Sequence, residues 1–266
     1  MRIVVCAKQV ADWEAVSELF GVGPDGRAAI DPRVKQLISI FDEHAIEAGL
    51  QLREAHGGSV SVLSLGPPSA IEVGKRALRM GADEAALISD SALEPLDAYG
   101  TAWALAGGVE RLGGADLVLC GRQAADTDAS QVGALLAERL GMPFVGAVRR
   151  IEAAGEGQAP SLLTLERTTG NSKQTLKVSL PAVLSVTNEI NKPRLTSVAG
   201  IMAAMKKTIP IWSLEDLGPD GLPAARVKTV RLIEPEHGGE CHFIHAESAQ
   251  KAGEKLALAL RDARVI

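Results

Sequence analysis

The chain has 266 residues, enough for one large domain or one domain with a substantial extension. Hydrophobic residues at 46% and charged residues at 23% exclude a disordered chain, and a net charge of −5 argues against a general nucleic-acid binder. No apolar run approaches the roughly 20 residues that span a bilayer, and strand-like sequence starts at Arg2, so no signal peptide is expected.

The first half alternates strands and helices. Residues 2–7 are β-branched and apolar and read as a strand. Phe41, Ala45, Ala48 and Leu52 recur at helical spacing and predict a helix over 41–54. A strand over 59–65 stops at Gly66-Pro67-Pro68, and a helix over 70–80 closes at Gly81. A short strand over 84–89, a helix over 97–112 closed by Gly113-Gly114 and a strand over 115–120 follow. A helix over 130–140 ends at Gly141. This order predicts a mostly parallel, doubly wound α/β sheet of the Rossmann-like, adenine-nucleotide-binding kind. Ligands of such sheets bind beyond the carboxyl ends of the strands.

The pattern changes after Met142. Strand-like segments at 144–151, 162–168, 174–178 and 182–186, with a Gly170-Asn171 hairpin turn, predict an antiparallel extension. From Thr187 the chain is irregular and proline-punctuated, and it ends in a helix over 248–261 with Ser248 placed to cap it. The expected organisation is a nucleotide-binding domain over 1–186, then a recognition loop and C-terminal arm over 187–266 that packs on another chain.

Three features carry chemistry. Cys120-Gly121-Arg122-Gln123-Ala124-Ala125-Asp126-Thr127-Asp128-Ala129-Ser130-Gln131-Val132-Gly133 lies where a strand ends and a helix begins. The first helical N–H groups lack intrahelical partners and the helix dipole favours an anion, so this turn reads as a phosphate site of an unusual kind, with no Walker lysine and no G-x-G-x-x-G spacing. Asp126 and Asp128 read first as residues that cap the next helix and shape the loop, and second as an acid–base pair. Asn191 to Met202 reads equally as a surface loop or as a recognition loop with Val198, Ile201 and Met202 as apolar contacts.

Other motifs read as structure. Gly21-Val22-Gly23-Pro24-Asp25-Gly26 matches G-x-G-x-x-G, but Pro-Asp-Gly is turn chemistry and no strand is expected immediately before it. His237, Cys241, His242 and His245 read as a solvated or interfacial segment rather than a metal site. Cys6 and Cys120 fall in apolar strands and are expected to be buried free thiols of a cytoplasmic protein.

In order along the chain, these residues resemble the β subunit of electron transfer flavoprotein, the FixA-like family. The resemblance rests on Val4 to Trp13 with its Lys8, on Phe41-Asp42-Glu43-His44-Ala45-Ile46-Glu47, and on Arg76 to Asp83. It continues through the loop from Gly121 to Gly133, Asn191-Lys192-Pro193-Arg194, Ile201-Met202 and Lys206-Lys207. It implies an electron carrier, not a catalyst of bond rearrangement, that forms a heterodimer with an α subunit holding most of an FAD. Trp13 and Phe41 are then the β-side contacts to that flavin. Cys6, Ala7, Leu65, Ala124, Asp126, Thr127, Asp128, Ser130, Gln131 and Val132 are then a site for AMP, with backbone N–H groups of Ser130 to Val132 on its phosphate. The resemblance further implies that Val198, Ile201 and Met202 dock flavin dehydrogenases of the acyl-CoA dehydrogenase type and that electrons pass to an acceptor such as a quinone oxidoreductase. The alternative is an electron-bifurcating member with a second FAD and NADH in this subunit. Thr127, where that style commonly has glycine, tips the reading to AMP. Rival readings are a stand-alone nucleotide-binding α/β protein and an enzyme using Asp126 and Asp128.

Overall fold

The computed structural model describes residues 1–93, 96–153, 160–218, 221–234 and 241–266. The chain divides into two compact units. One comprises Met1–Gly21 and Ala28–Val230; the other comprises Val22–Arg27 and Arg231–Ile266.

The first unit is built on a nine-stranded sheet. In chain order its elements are β1 (Arg2–Cys6), β2 (Gln9–Ala11), β3 (Phe20–Val22), β4 (Ala28–Ile30), β5 (Gln36–Ile38), α1 (Ile40–His56), β6 (Ser59–Leu65), α2 (Ile71–Met80), β7 (Glu84–Ile88) and α3 (Ala98–Arg111). Then come β8 (Leu117–Gly121), α4 (Val132–Leu140), β9 (Phe144–Ala153), β10 (Leu162–Thr169), β11 (Ser172–Ser179), β12 (Ala182–Val186), α5 (Val198–Ala204) and β13 (Ile211–Trp212). The sheet order is β11-β10-β9-β12-β8-β1-β6-β7-β13. The neighbours from β9 through β12, β8, β1, β6 and β7 to β13 are all parallel, and β9-β10-β11 are antiparallel.

Two apolar layers hold this sheet. Ile3, Val5, Val60 and Val62 pack with Ala45, Ile46, Leu50, Val73 and Ala77 of α1 and α2. Val4, Cys6, Leu63, Val118 and Cys120 pack with Ala102, Leu105, Val109, Leu136 and Ala137 of α3 and α4. Alternation along each strand sends neighbouring residues to opposite layers, which is the doubly wound α/β arrangement.

The extension differs in one strand. Ala182–Val186 is not antiparallel; it returns to lie between β8 and β9, parallel to both. Its five residues are all buried. A strand apolar on both faces is stable only inside a covered sheet, so it inserts rather than extending the hairpin. Residues 187–218 are also less irregular than expected: α5 is capped by Ser197, and β13 pairs with β7 at the sheet edge. The strand Phe20–Val22 runs into the Gly21–Gly26 motif, whose glycines turn the chain back toward Ala28–Ile30, with no helix following.

In the second unit, α6 (Ala249–Asp262) begins at Ser248, whose Oγ accepts the Lys251 N–H at 3.3 Å. Among the described residues, no helix is long and apolar enough to cross a membrane.

Candidate functional site

The parallel strands β1, β6, β8 and β12 end on one side of the sheet. Cys6 is in register with Leu63 on one flank and Cys120 on the other, and the Ala7 N–H continues the ladder to the Leu63 carbonyl at 2.9 Å. Cys6 and Ala7 are buried, and Leu65 is half-buried at the end of β6. The loop that follows β8 closes over these ends.

The first turn of α1 ties the loop down. Asp42 Oδ2 accepts the Lys8 N–H and Asp42 Oδ1 accepts the Gly121 N–H, both at 2.9 Å. Ser39, fully buried, donates its N–H to the Lys8 carbonyl at 3.0 Å, and its Oγ accepts the Ala125 N–H at 3.2 Å. The segment after β1 and the loop after β8 are thus fixed to one helix start. Above them Lys8 Nζ and Asp126 Oδ2 form an ion pair of 2.6 Å at the surface.

The loop also braces itself. The Asp128 N–H donates to the Ala124 carbonyl at 2.9 Å, and Gln123 Nε2 donates to Asp128 Oδ1 at 2.6 Å. Ser130 Oγ lies 3.3 Å from Gln123 Oε1. Asp128 and Ser130 have left-handed backbones, φ 50° and 55°, so α4 starts at Val132, two residues later than the sequence pattern predicts. Neither aspartate caps α4: its N-cap is Gln131, and no side chain accepts from its first turn. The loop-shaping role of both residues stands in these hydrogen bonds, and the capping role does not. Ala124 is half-buried, whereas Asp126, Thr127, Asp128, Ser130 and Gln131 are exposed at the rim, with Val132 half-buried beneath.

The electrostatics are uneven. Burial raises the Asp42 carboxyl to about 7, against the opposing effect of the Lys8 and Gly121 N–H groups and the Lys8 charge. Burial pushes the Cys120 thiol up to about 12, with Asp42 adding to it, and burial holds the Cys6 thiol well above its usual range, with Cys120 and then Asp42 adding to it. Both thiols are therefore protonated packing groups without nucleophilic character.

One flat ring stands against the loop after β8. Phe41 is half-buried in the first turn of α1, under the Arg122 guanidinium at 5.2 Å. Trp13, after β2, is 41% exposed. Val198, Ile201 and Met202 belong to α5, away from the loop, and are 78%, 40% and 57% exposed. Gly200 brings α5 against the end of α2, and Lys207 Nζ donates to the Ala82 carbonyl at 2.8 Å. His237 lies outside the described residues; Cys241, His242 and His245 are exposed, and among the described residues no three His, Cys, Asp or Glu side chains form a metal-binding group.

The site thus offers an uncapped helix start and two cations, Lys8 and Arg122, at the ends of parallel strands. That donor set fits the phosphate of a nucleotide. Residues 29–217 match the electron transfer flavoprotein domain. The chain belongs to the electron transfer flavoprotein family, in its β-subunit and FixA-like branch. It is 35% identical to the caffeyl-CoA reductase–Etf complex subunit CarD of Acetobacterium woodii, over 100% of both chains. It is 37% identical to the electron transfer flavoprotein subunit beta of Thermoanaerobacterium thermosaccharolyticum, over 90% of this chain and 91% of that one. It is 35% identical to the protein FixA of Azorhizobium caulinodans, over 84% of this chain and 78% of the relative.

As an electron transfer flavoprotein subunit, the chain serves electron transport in association with flavin. Sequence reasoning missed Ser39 and Asp42 as the supports of the loop. Asp42 stood in the sequence as an acidic residue early in a helix, an ordinary partner of the helix dipole. Its burial and its two loop N–H donors arise from contacts 34 and 79 residues away in the chain.

Proposed function

We propose that this chain is the β subunit of a cytoplasmic electron transfer flavoprotein heterodimer, carrying structural AMP in the loop from Gly121 to Gly133. The carrying observation is the start of α4: it has no side-chain cap, and Gly133 in its first turn lies against Cys120 near the end of β8. The N–H groups of Ser130 to Val132 take the phosphate, and Cys6, Ala7 and Leu65 line the adenine side. Ala124, Asp126, Thr127 and Asp128 shape the wall between them. Phe41 and Trp13 present flat apolar faces to an FAD held mainly by the α subunit. When bound, that FAD supplies the electron chemistry, and this chain supplies position and electrostatics. Residues 187–266 carry the docking helix and an arm that packs on the α subunit. The exposed Val198, Ile201 and Met202 receive dehydrogenases of the acyl-CoA dehydrogenase type, with a quinone oxidoreductase as acceptor.

The decisive experiment is cofactor extraction after coexpression with the α subunit. One FAD and one AMP per heterodimer support this reading. The full-length similarity to CarD favours a second reading, a bifurcating subunit with a second FAD and an NADH-oxidising role. Two FAD and no AMP per heterodimer support that one. A yellow, redox-active β monomer counts against both.

A further inference from the structure

Arg122 has no part in the phosphate and docking roles proposed above beyond lending charge to the rim. Its backbone is fixed from two sides. The preceding Gly121 N–H is held by Asp42, and the Arg122 N–H donates to the Val186 carbonyl at 2.8 Å. The chain therefore leaves β8 directly over the first turn of α1. The guanidinium settles 5.2 Å from the centre of the Phe41 ring, within cation–π range. Its Nε donates to Gln123 Oε1 at 3.0 Å, a neutral partner, and the Asp128 carboxylate is reached only through that amide. Among the described residues Arg122 forms no ion pair, whereas Lys8 and Arg149 each do. An exposed arginine with no carboxylate partner, held over a ring, is a positive charge kept at one place.

We infer that Arg122 is a potential-setting residue: held over Phe41, it keeps a positive charge without a carboxylate partner beside the flavin that packs against this ring, and so favours its reduced form. The inference rests on reading Phe41 as a flavin contact. Reduction adds two electrons to the flavin and near neutral pH leaves negative charge on it, so a nearby cation stabilises the reduced state by Coulomb attraction. Arg122 exchanges no proton in this role, because a guanidinium stays charged at every working pH. The neighbouring cation does not duplicate it: Lys8 is paired with Asp126.

The test uses the flavin-loaded αβ complex at pH 8, poised against a redox dye, with wild type, Arg122→Gln, Arg122→Lys and Phe41→Leu. Arg122→Gln is expected to raise the oxidised-to-reduced flavin ratio at a fixed solution potential by about tenfold, as for loss of one charge at close range near a surface. Arg122→Lys restores most of the effect, and salt at about three times physiological strength shrinks it. Phe41→Leu shifts the flavin absorption band. An unchanged ratio in Arg122→Gln, with a shifted band in Phe41→Leu, overturns the role of Arg122 alone. An unchanged band in Phe41→Leu overturns the reading of Phe41 as a flavin contact, and this inference with it.

Discussion

Gly121 donates its N–H to Asp42 Oδ1 at 2.9 Å, and this bond joins the end of β8 to the first turn of α1 across 79 residues of chain. The approach is close enough that a Cβ on residue 121 meets Asp42 Oδ1 at 2.5 Å and Phe41 Cβ at 2.6 Å. Everything proposed for the loop depends on this contact, because it sets where Arg122 and the following residues begin.

Gly121→Ala is therefore expected to cost about 1–3 kcal/mol, the usual range for forced overpacking. The Phe41 backbone is among the atoms met, so a side-chain rotation alone does not relieve the contact. Urea unfolding of the two proteins measures it, and an unchanged midpoint shows that the loop has room to move.

Asp42 gives stability a pH dependence of definite sign. Burial raises its carboxyl from 3.8 to about 7. The folded chain then binds this proton more tightly than the unfolded chain. The resulting contribution is complete below about pH 4, near the unfolded carboxylate value, and is lost as pH rises through about 7. The melting temperature of wild type minus that of Asp42→Asn is expected to fall between about pH 5 and pH 8. Carboxylates common to both proteins cancel in that difference. A flat difference refutes the buried carboxyl.

Asp126 and Asp128 are loop braces. Replacing both with asparagine breaks the 2.6 Å pair with Lys8 and weakens the 2.6 Å bond from Gln123. Nucleotide retention is expected to drop by about tenfold, the effect of losing roughly 1.4 kcal/mol of loop order. Thermal stability changes little, since the Lys8 pair is at the surface. Nucleotide recovered from the purified αβ complex and titration calorimetry provide the readout. Lost turnover with full nucleotide retention favours the rival enzyme reading.

Arg194 is expected to matter for stability. Its guanidinium bonds Glu47 through Nε at 2.8 Å and Glu54 through a terminal nitrogen at 2.6 Å, and Glu47 is buried. The same pairing holds the Glu54 carboxyl below its usual range. Arg194→Ala leaves the Glu47 charge in the interior and is expected to cost about 2–4 kcal/mol, with Arg194→Lys intermediate because it loses the two-pronged geometry. Chemical denaturation of the three proteins separates these cases.

Gly200 fixes α5 against α2. A Cβ there meets the Arg79 carbonyl oxygen, a backbone atom at the end of α2. Gly200→Ala is expected to lift α5 from α2 and to lower the hydrogen-exchange protection of 198–204, while the sheet exchanges as before. Equal protection in the two proteins shows that α5 is held by other contacts.

The sequence by itself determined the α/β class, the order of the main elements and the place of the loop after β8. These are written in local periodicity: apolar residues repeat along α1, and glycines at 81 and 141 end α2 and α4 with left-handed caps. It also marked Asn191 to Met202 as distinct, though not as a helix. Only the tertiary structure decided the insertion of β12 between β8 and β9, the pairing of β13 with β7, and the burial of Asp42 and Ser39 beneath the loop. The reason is physical. Caps and periodicity act within one or two turns of chain, whereas strand order and buried hydrogen bonds join residues far apart in sequence, whose partners no local pattern specifies.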